Sequence, residues 1–226
     1  MCGRFVLEDI DEVFSRFRLS DSEDLVGNIR PRYNIAPSHY AYIISRNARQ
    51  ENRLEMMKWG LIPSWSKDPK VGNRMINARV ETVAIKPSFK NLLKTNRCLV
   101  PCSGFYEWKT AGAKKIPHYI GPKDSKIFCL AGLYDVWKKS DGTDLKTFTI
   151  IKTQPNNTFK PIHNRMPVIL HQELEGQWLN TKLQDYDSIK RLLKPYPDDD
   201  MISYAVSNEV NNSENNNPQL IKQIHC

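Results

Sequence analysis

Several things are missing from this chain of 226 residues, and each absence excludes something. No apolar run approaches the roughly 18 residues that span a bilayer. The start carries no basic-then-apolar leader either, because Glu8, Asp9, Asp11 and Glu12 arrive at once. Together these lead us to expect a cytoplasmic protein. The five cysteines contain no CxxC and the five histidines no HxxxH or HExxH, so the usual zinc-ligand spacings are missing. There is no internal repeat, no GxGxxG and no P-loop, which disfavours a nucleotide-binding α/β fold. No cofactor and no metal are expected.

What is present reads as an ordinary globular protein, with 40% hydrophobic and 26% charged residues. A length of 226 residues fits one domain over 1–226. Thirty-three Lys and Arg against 25 Asp and Glu give a net charge of +8, which favours a polyanionic partner such as nucleic acid. Cys98, Cys102 and Cys129 lie in apolar segments (RCLVPCSGF, KIFCLAG) and are expected as small core residues.

GRFVL reads as a short strand and DIDEVFSRF as a helix. Ile10, Val13, Phe14 and Phe17 recur at helical spacing, behind Asp9 with Glu12 three residues on. AYIISR and RLEMMKW form a probable hairpin, and GLIPSWSKDPKVGN, with two prolines and two glycines, a loop. After a short helix in SFKNLLKTN come strand candidates RCLVP, GFYEWK, PHYIG, KIFCLAGLYDVW and KTFTIIKT, separated by turn-rich pieces. MPVIL and ISYAVS add strands, and HQELEGQWL and YDSIKRLL peripheral helices. The expected class is α+β: one domain around a curved, mostly antiparallel sheet or partly closed β-barrel. The asparagine-rich tail from 211 to 226 is either a loose end or an ordered edge anchored through Leu220 and Ile221.

Four stretches are richer in polar groups than strands require: MCGRF, INARVET, GFYEWK and IHNRMP. In GFYEWK alternation puts Phe105 and Glu107 on one face; Glu107 is then a desolvated proton-transfer carboxylate if Phe105 points inward, or an exposed glutamate if it does not. His163 sits at a loop-to-strand boundary, where an imidazole either shuttles protons or is merely structural. Arg165, two residues on, can bind a phosphate. Asn77 and Arg79, also two apart, suit a sugar and its phosphate, or are a turn amide and a surface cation. Trp59, Trp65 and Pro37 offer flat surfaces for unpaired bases, or pack loops.

Taken in order, MCGRF, RYNIAP, WGLIPSW, INARVET, GFYEWK, IHNRMP and VSNEVN with NNPQLI resemble the SRAP family, the abasic-site processing proteins also described as SOS response-associated peptidases. The resemblance covers nearly the whole chain. It implies the SRAP fold and a covalent DNA–protein link through Cys2 once Met1 is removed: the α-amine forms a Schiff base with an abasic aldehyde, and the thiol closes a thiazolidine. At about pH 7 roughly 10 to 15% of an α-amine is neutral, against about 0.04% of a lysine, an advantage of about two to three hundredfold. The thiol, with an ordinary pKa of about 8.5, is expected to need little activation.

By the same resemblance Glu107 is the acid/base, His163 its proton-moving partner, and Asn77 the residue that holds sugar and Cys2 in register. Arg4, Arg79 and Arg165 bind flanking phosphates, and Trp65 and Pro37 contact bases. The implied partner is single-stranded DNA carrying abasic sites, plain or at single/double-strand junctions, met by a nucleoid-associated protein; a monomer is the default expectation, on which the motifs are silent. An associated lyase activity and self-directed removal of Met1 belong to this picture. Two rivals stand beside it, an N-terminal-cysteine peptidase and a non-enzymatic single-strand binding module. The chain departs from the family pattern at Ser66, where relatives carry a second tryptophan, and at Lys152, where they often carry threonine; neither is expected to touch the set Cys2, Asn77, Glu107 and His163.

Overall fold

The computed structural model describes residues 2–19 and 29–224. Met1 and Cys226, on which the expected processing and the end of the tail fall, lie outside the described residues. The described chain is an α+β fold, and its centre is a closed barrel. Strands β3 (Tyr40–Arg46), β4 (Asn52–Trp59), β6 (Arg97–Cys102), β9 (Phe128–Lys138) and β10 (Asp144–Thr153) follow one another as neighbours in the order β10-β4-β3-β6-β9, and a β9–β10 ladder shuts the ring. Every residue of β6 is buried, as is the β10 run from Thr147 to Thr153. Closure explains this, because side chains on one face fill the barrel while the other face is covered.

A second sheet packs beside the barrel in the order β13-β8-β7-β1-β2, from β1 (Phe5–Leu7), β2 (Arg32–Ile35), β7 (Gly104–Ala111), β8 (Lys114–Pro122) and β13 (Met201–Ala205). Its strand β7 is buried on both faces from Gly104 to Glu107. Phe105 joins the main core, while Tyr106 and Trp108 join a smaller cluster with Val206, Val210 and Leu220 of the tail. The helices are peripheral. In α1 (Ile10–Phe17) Asp9 caps the Glu12 amide and Val13 and Phe17 turn inward; α2 (Leu92–Thr95), α3 (Gln172–Leu179) and α4 (Tyr186–Arg191) cover the barrel side. The fully buried Arg97 clamps this layer, donating to the carbonyls of Leu93, Lys94, Trp178, Asn180 and Leu183.

Pairing is mostly antiparallel, with a parallel exception that positions the site. Strand β10 runs parallel to β4 and, further on, to β5 (Asn77–Arg79), with Ile150 opposite Asn77 and Lys152 opposite Arg79. Its far end also pairs with β11 (Met166–Pro167), which lies between Arg165 and the short β12 (Ile169–Leu170). Thus β10 collects INARVET and IHNRMP, far apart in sequence, at one end of the barrel.

Candidate active site

Strand β1 brings the N-terminus to this end. It pairs antiparallel with β7, Phe5 opposite Phe105, and the Tyr106 amide donates to the Arg4 carbonyl at 2.9 Å. Extending that register sets Gly3 opposite Glu107, one residue from Cys2. The Cys2 side is sealed: the residue is 1% exposed and Glu107 3%. Asn77 Nδ2 donates to the Cys2 carbonyl oxygen at 2.9 Å. Its Oδ1 is buried with no donor on it among the described residues.

Asn77 owes its place to Trp59. The indole is 1% exposed, stacks on Phe148 at 6.0 Å between centroids, and donates from Nε1 to the Ile76 carbonyl at 2.9 Å. Trp59 is therefore a core residue that fixes the backbone next to Asn77, not a surface for stacking bases. Gly60 follows at φ +115°, and a Cβ there would lie 2.7 Å from the Gly72 carbonyl oxygen, so the WGLIPSW loop crosses the Pro69–Arg74 turn only with glycine.

His163 comes from the other direction. The turn before it is pinned by buried Phe159, whose amide is capped by Asn156 Oδ1 at 2.9 Å. The Arg165 amide nitrogen lies 3.1 Å and the Arg165 carbonyl oxygen 3.2 Å from His163 Nδ1, so the Arg165 backbone holds the ring in either tautomer. His163 and Glu107 line one open cavity of about 750 Å³, together with Trp108, Lys115, Lys160 and Asn164. A cavity of similar size, about 790 Å³, lies by Glu8, Tyr33 and Tyr204 and holds none of the expected site residues.

Electrostatics ties the thiol to its surroundings. Burial pushes the Cys2 thiol from 9.0 up to about 12, Glu107 adds to the rise, and the Lys152 ammonium pulls the other way. This corrects the expectation of a readily ionised thiol. The same coupling corrects the expectation that Lys152 does not touch the set: it is 6% exposed, burial and then Arg79 and Arg165 hold its ammonium below 10.5, and Glu107 and Cys2 oppose them. No local sequence signal marks Lys152, which is placed by the β5–β10 register.

The expected DNA contacts are spread more widely. Arg79 is exposed, and Arg165 is half-buried in a salt bridge to Glu81. Trp65 is 66% exposed on a turn held by Ser64 to Asp135 and by Trp137 to Ser66. Pro37 is half-buried in the turn between β2 and β3. Arg4 has a different engagement: Nη1 donates to Asn34 Oδ1 at 2.8 Å and to the Val210 carbonyl at 2.7 Å, and Nη2 to the Asn211 carbonyl at 3.2 Å. Its guanidinium ties the N-terminal strand to the tail.

The fold and site define a class: a barrel-centred α+β protein in which Asn77, Glu107 and Lys152 gather around the second residue of the chain. The chain belongs to the SRAP family, whose model, described as SOS response associated peptidase, matches residues 1–213. It is 47% identical over 224 residues to the abasic site processing protein YoqW of Bacillus subtilis, covering 98% of this chain and 99% of that one. It is 31% identical to the abasic site processing protein HMCES of Xenopus tropicalis, across 86% of this chain and 67% of that one. A crystal structure of a Bacteroides thetaiotaomicron protein superposes with a TM-score of 0.88 at 31% identity, covering 99% of this chain and all of the other. A Bordetella bronchiseptica protein at 23% identity shares the fold, with a TM-score of 0.77, over 91% of this chain and all of the other.

Proposed function

We propose that this protein processes abasic sites in single-stranded DNA by joining the opened sugar to Cys2 as a thiazolidine, shielding the lesion. The observation that carries the reading is the convergence of Asn77 on Cys2 by a hydrogen bond and of Glu107 on the Cys2 thiol by charge, with His163 across the same cavity as Glu107. The names of the relatives give the substrate class.

With Met1 removed, the Cys2 nitrogen attacks the C1′ aldehyde, and the carbinolamine loses water to give an imine. The thiol sulfur then bonds to C1′ and its proton ends on the ring nitrogen, so the net loss is one water. Burial favours the protonated thiol, so the sulfur is not the first nucleophile. The amine acts first, and the protonated imine it creates beside the sulfur favours the thiolate at the moment of closure. Glu107 and His163 serve as the proton acceptor and donor, and Asn77 Oδ1, which no donor reaches among the described residues, is an acceptor for the Cys2 amine or the sugar hydroxyl. Arg79 and Arg165 take the flanking phosphates.

Incubation with single-stranded DNA bearing one abasic site gives a heat-stable shifted adduct without reductant, absent for Cys2→Ala and for intact DNA. An adduct that persists in Cys2→Ala overturns the mechanism. Intact mass of the purified protein must also show loss of Met1, since an acylated Cys2 nitrogen is no nucleophile. The peptidase of the family description is then self-directed, in keeping with a thiol only 1% exposed. Repeated turnover of an added peptide would favour the broader peptidase reading.

A further inference from the structure

Lys152 is the residue of this site that family resemblance does not explain. In the β5–β10 ladder Asn77 faces Ile150 and Arg79 faces Lys152. Residues two apart on a strand share a face about 7 Å apart. The Lys152 amine, on its four-carbon stem, therefore rises one strand repeat from the Asn77 amide that holds Cys2 at 2.9 Å. It does so from a residue 6% exposed, with Arg79 opposite it across the ladder and Arg165 leading into β11, which pairs with Lys152 through Pro167.

We propose that Lys152 is a second amine nucleophile of this site: its Nζ adds to the C1′ aldehyde of an abasic site, and the imine formed drains into strand cleavage instead of a stable crosslink. The inference rests on the abasic-site reading above and adds to it a separate product. A lysine taken out of water and set beside other cations is the environment that supplies neutral amine for Schiff-base chemistry. Burial, Arg79 and Arg165 act in that direction here.

The two amines lead to different ends. At Cys2 the thiol consumes the imine by closing the ring. Lys152 carries no thiol, so its imine persists with an acidified C2′ proton. In the first step the Nζ–C1′ bond forms and water leaves. A base, Glu107 or His163, then takes the C2′ proton, the C3′–O bond breaks, and the 3′ phosphate departs with the electron pair. Water hydrolyses the conjugated imine, returning Lys152 and an unsaturated aldehyde on the 5′ fragment. No oxidant or reductant is needed.

The test uses borohydride, which freezes an imine as a stable amine, followed by protease digestion and peptide mapping. In Cys2→Ala, with abasic single-stranded DNA, the trapped DNA is expected on the peptide that contains Lys152. This arm leaves Lys152 unchanged, so it does not depend on a variant folding. In Cys2→Ala/Lys152→Arg, which retains the positive charge without a neutral amine at 152, DNA trapped on that peptide is lost and strand cleavage falls to the part that the α-amine, also without a thiol in this background, supplies. The double variant Cys2→Ala/Lys152→Thr, checked by circular dichroism, gives the same loss. Trapping only at the α-amine or at other lysines, or undiminished cleavage in the arginine variant, overturns the inference. Failure of the wild-type protein to form its reductant-free adduct sinks the abasic-site reading itself, so the two failures are distinguishable.

Discussion

The Cys2 carbonyl oxygen and the Asn77 side chain are joined by a hydrogen bond of 2.9 Å, and the other end of the same amide is buried with nothing donating to it among the described residues. One half of Asn77 holds the Cys2 backbone, and in the proposed mechanism the other half is the acceptor for the reacting groups. Loss of such a bond costs about 1 kcal/mol, but a misplaced nucleophile loses up to about a hundredfold in rate. Asn77→Ala is expected to slow single-turnover adduct formation by about ten to a hundredfold, with a thermal midpoint lowered by only about 2 to 4 °C. A wild-type rate in this variant would show that the bond does not position Cys2.

The buried thiols predict how stability responds to alkali. The Cys2 thiol stands at about 12 against 9.0, and Cys98, Cys102 and Cys129 are pushed well above 9.0 by burial. A group whose folded value is raised holds its proton more tightly in the folded state. Its contribution is whole below 9.0 and drains away as pH rises toward the folded value, by up to about 1.4 kcal/mol per group for each pH unit. Urea unfolding at stepped pH should show stability falling from about pH 9 upward. A flat profile between about pH 9 and 11 would contradict the burial of these thiols.

Much of the fold was legible because its signals are local. The Asp9 cap and the Ile10–Phe17 periodicity, the Tyr40–Trp59 hairpin and the alternation of GFYEWK all appear as the sequence predicts. What escaped depends on register between distant segments. Nothing near KTFTIIKT announces that β10 runs parallel to INARVET, so the register that sets Lys152 opposite Arg79, beside the set it was not expected to touch, is not legible. Trp59 looked like a loop aromatic, because its partners Phe5 and Phe148 lie far off in the chain. The contacts of Arg4 with Val210 and Asn211 were not legible, because those acceptors belong to a tail whose order was open.

Away from the site, Arg16 of α1 and Glu175 of α3 form a forked pair, Nη2 to Oε1 at 2.5 Å and Nε to Oε2 at 3.1 Å, with side chains 7% and 5% exposed. Burial raises the Glu175 carboxyl and the Arg16 charge opposes it. Removing one partner leaves a buried charge alone, which costs about 3 to 5 kcal/mol. Arg16→Met should therefore destabilise far more than the double change Arg16→Met/Glu175→Leu, as read by urea midpoints. Equal losses would mean the pair is not desolvated as described.

The cations flanking the site differ in how they can serve DNA. Arg79 is exposed, whereas Arg165 is already bridged to Glu81. Binding of abasic single-stranded DNA weakens with salt at a slope of about 0.7 per neutralised phosphate. Arg79→Gln should lower that slope by roughly this amount and weaken all sequences alike. Arg165→Gln does more than delete a contact, because it leaves Glu81 unneutralised beside the phosphates. Its affinity should fall further than the slope change implies, and Arg165→Gln/Glu81→Gln should recover part of the affinity while the slope stays reduced. Fluorescence anisotropy across a salt series, with Cys2→Ala to prevent crosslinking, separates these terms. If the second change recovers nothing, Glu81 lies off the DNA path and Arg165 is a structural cation.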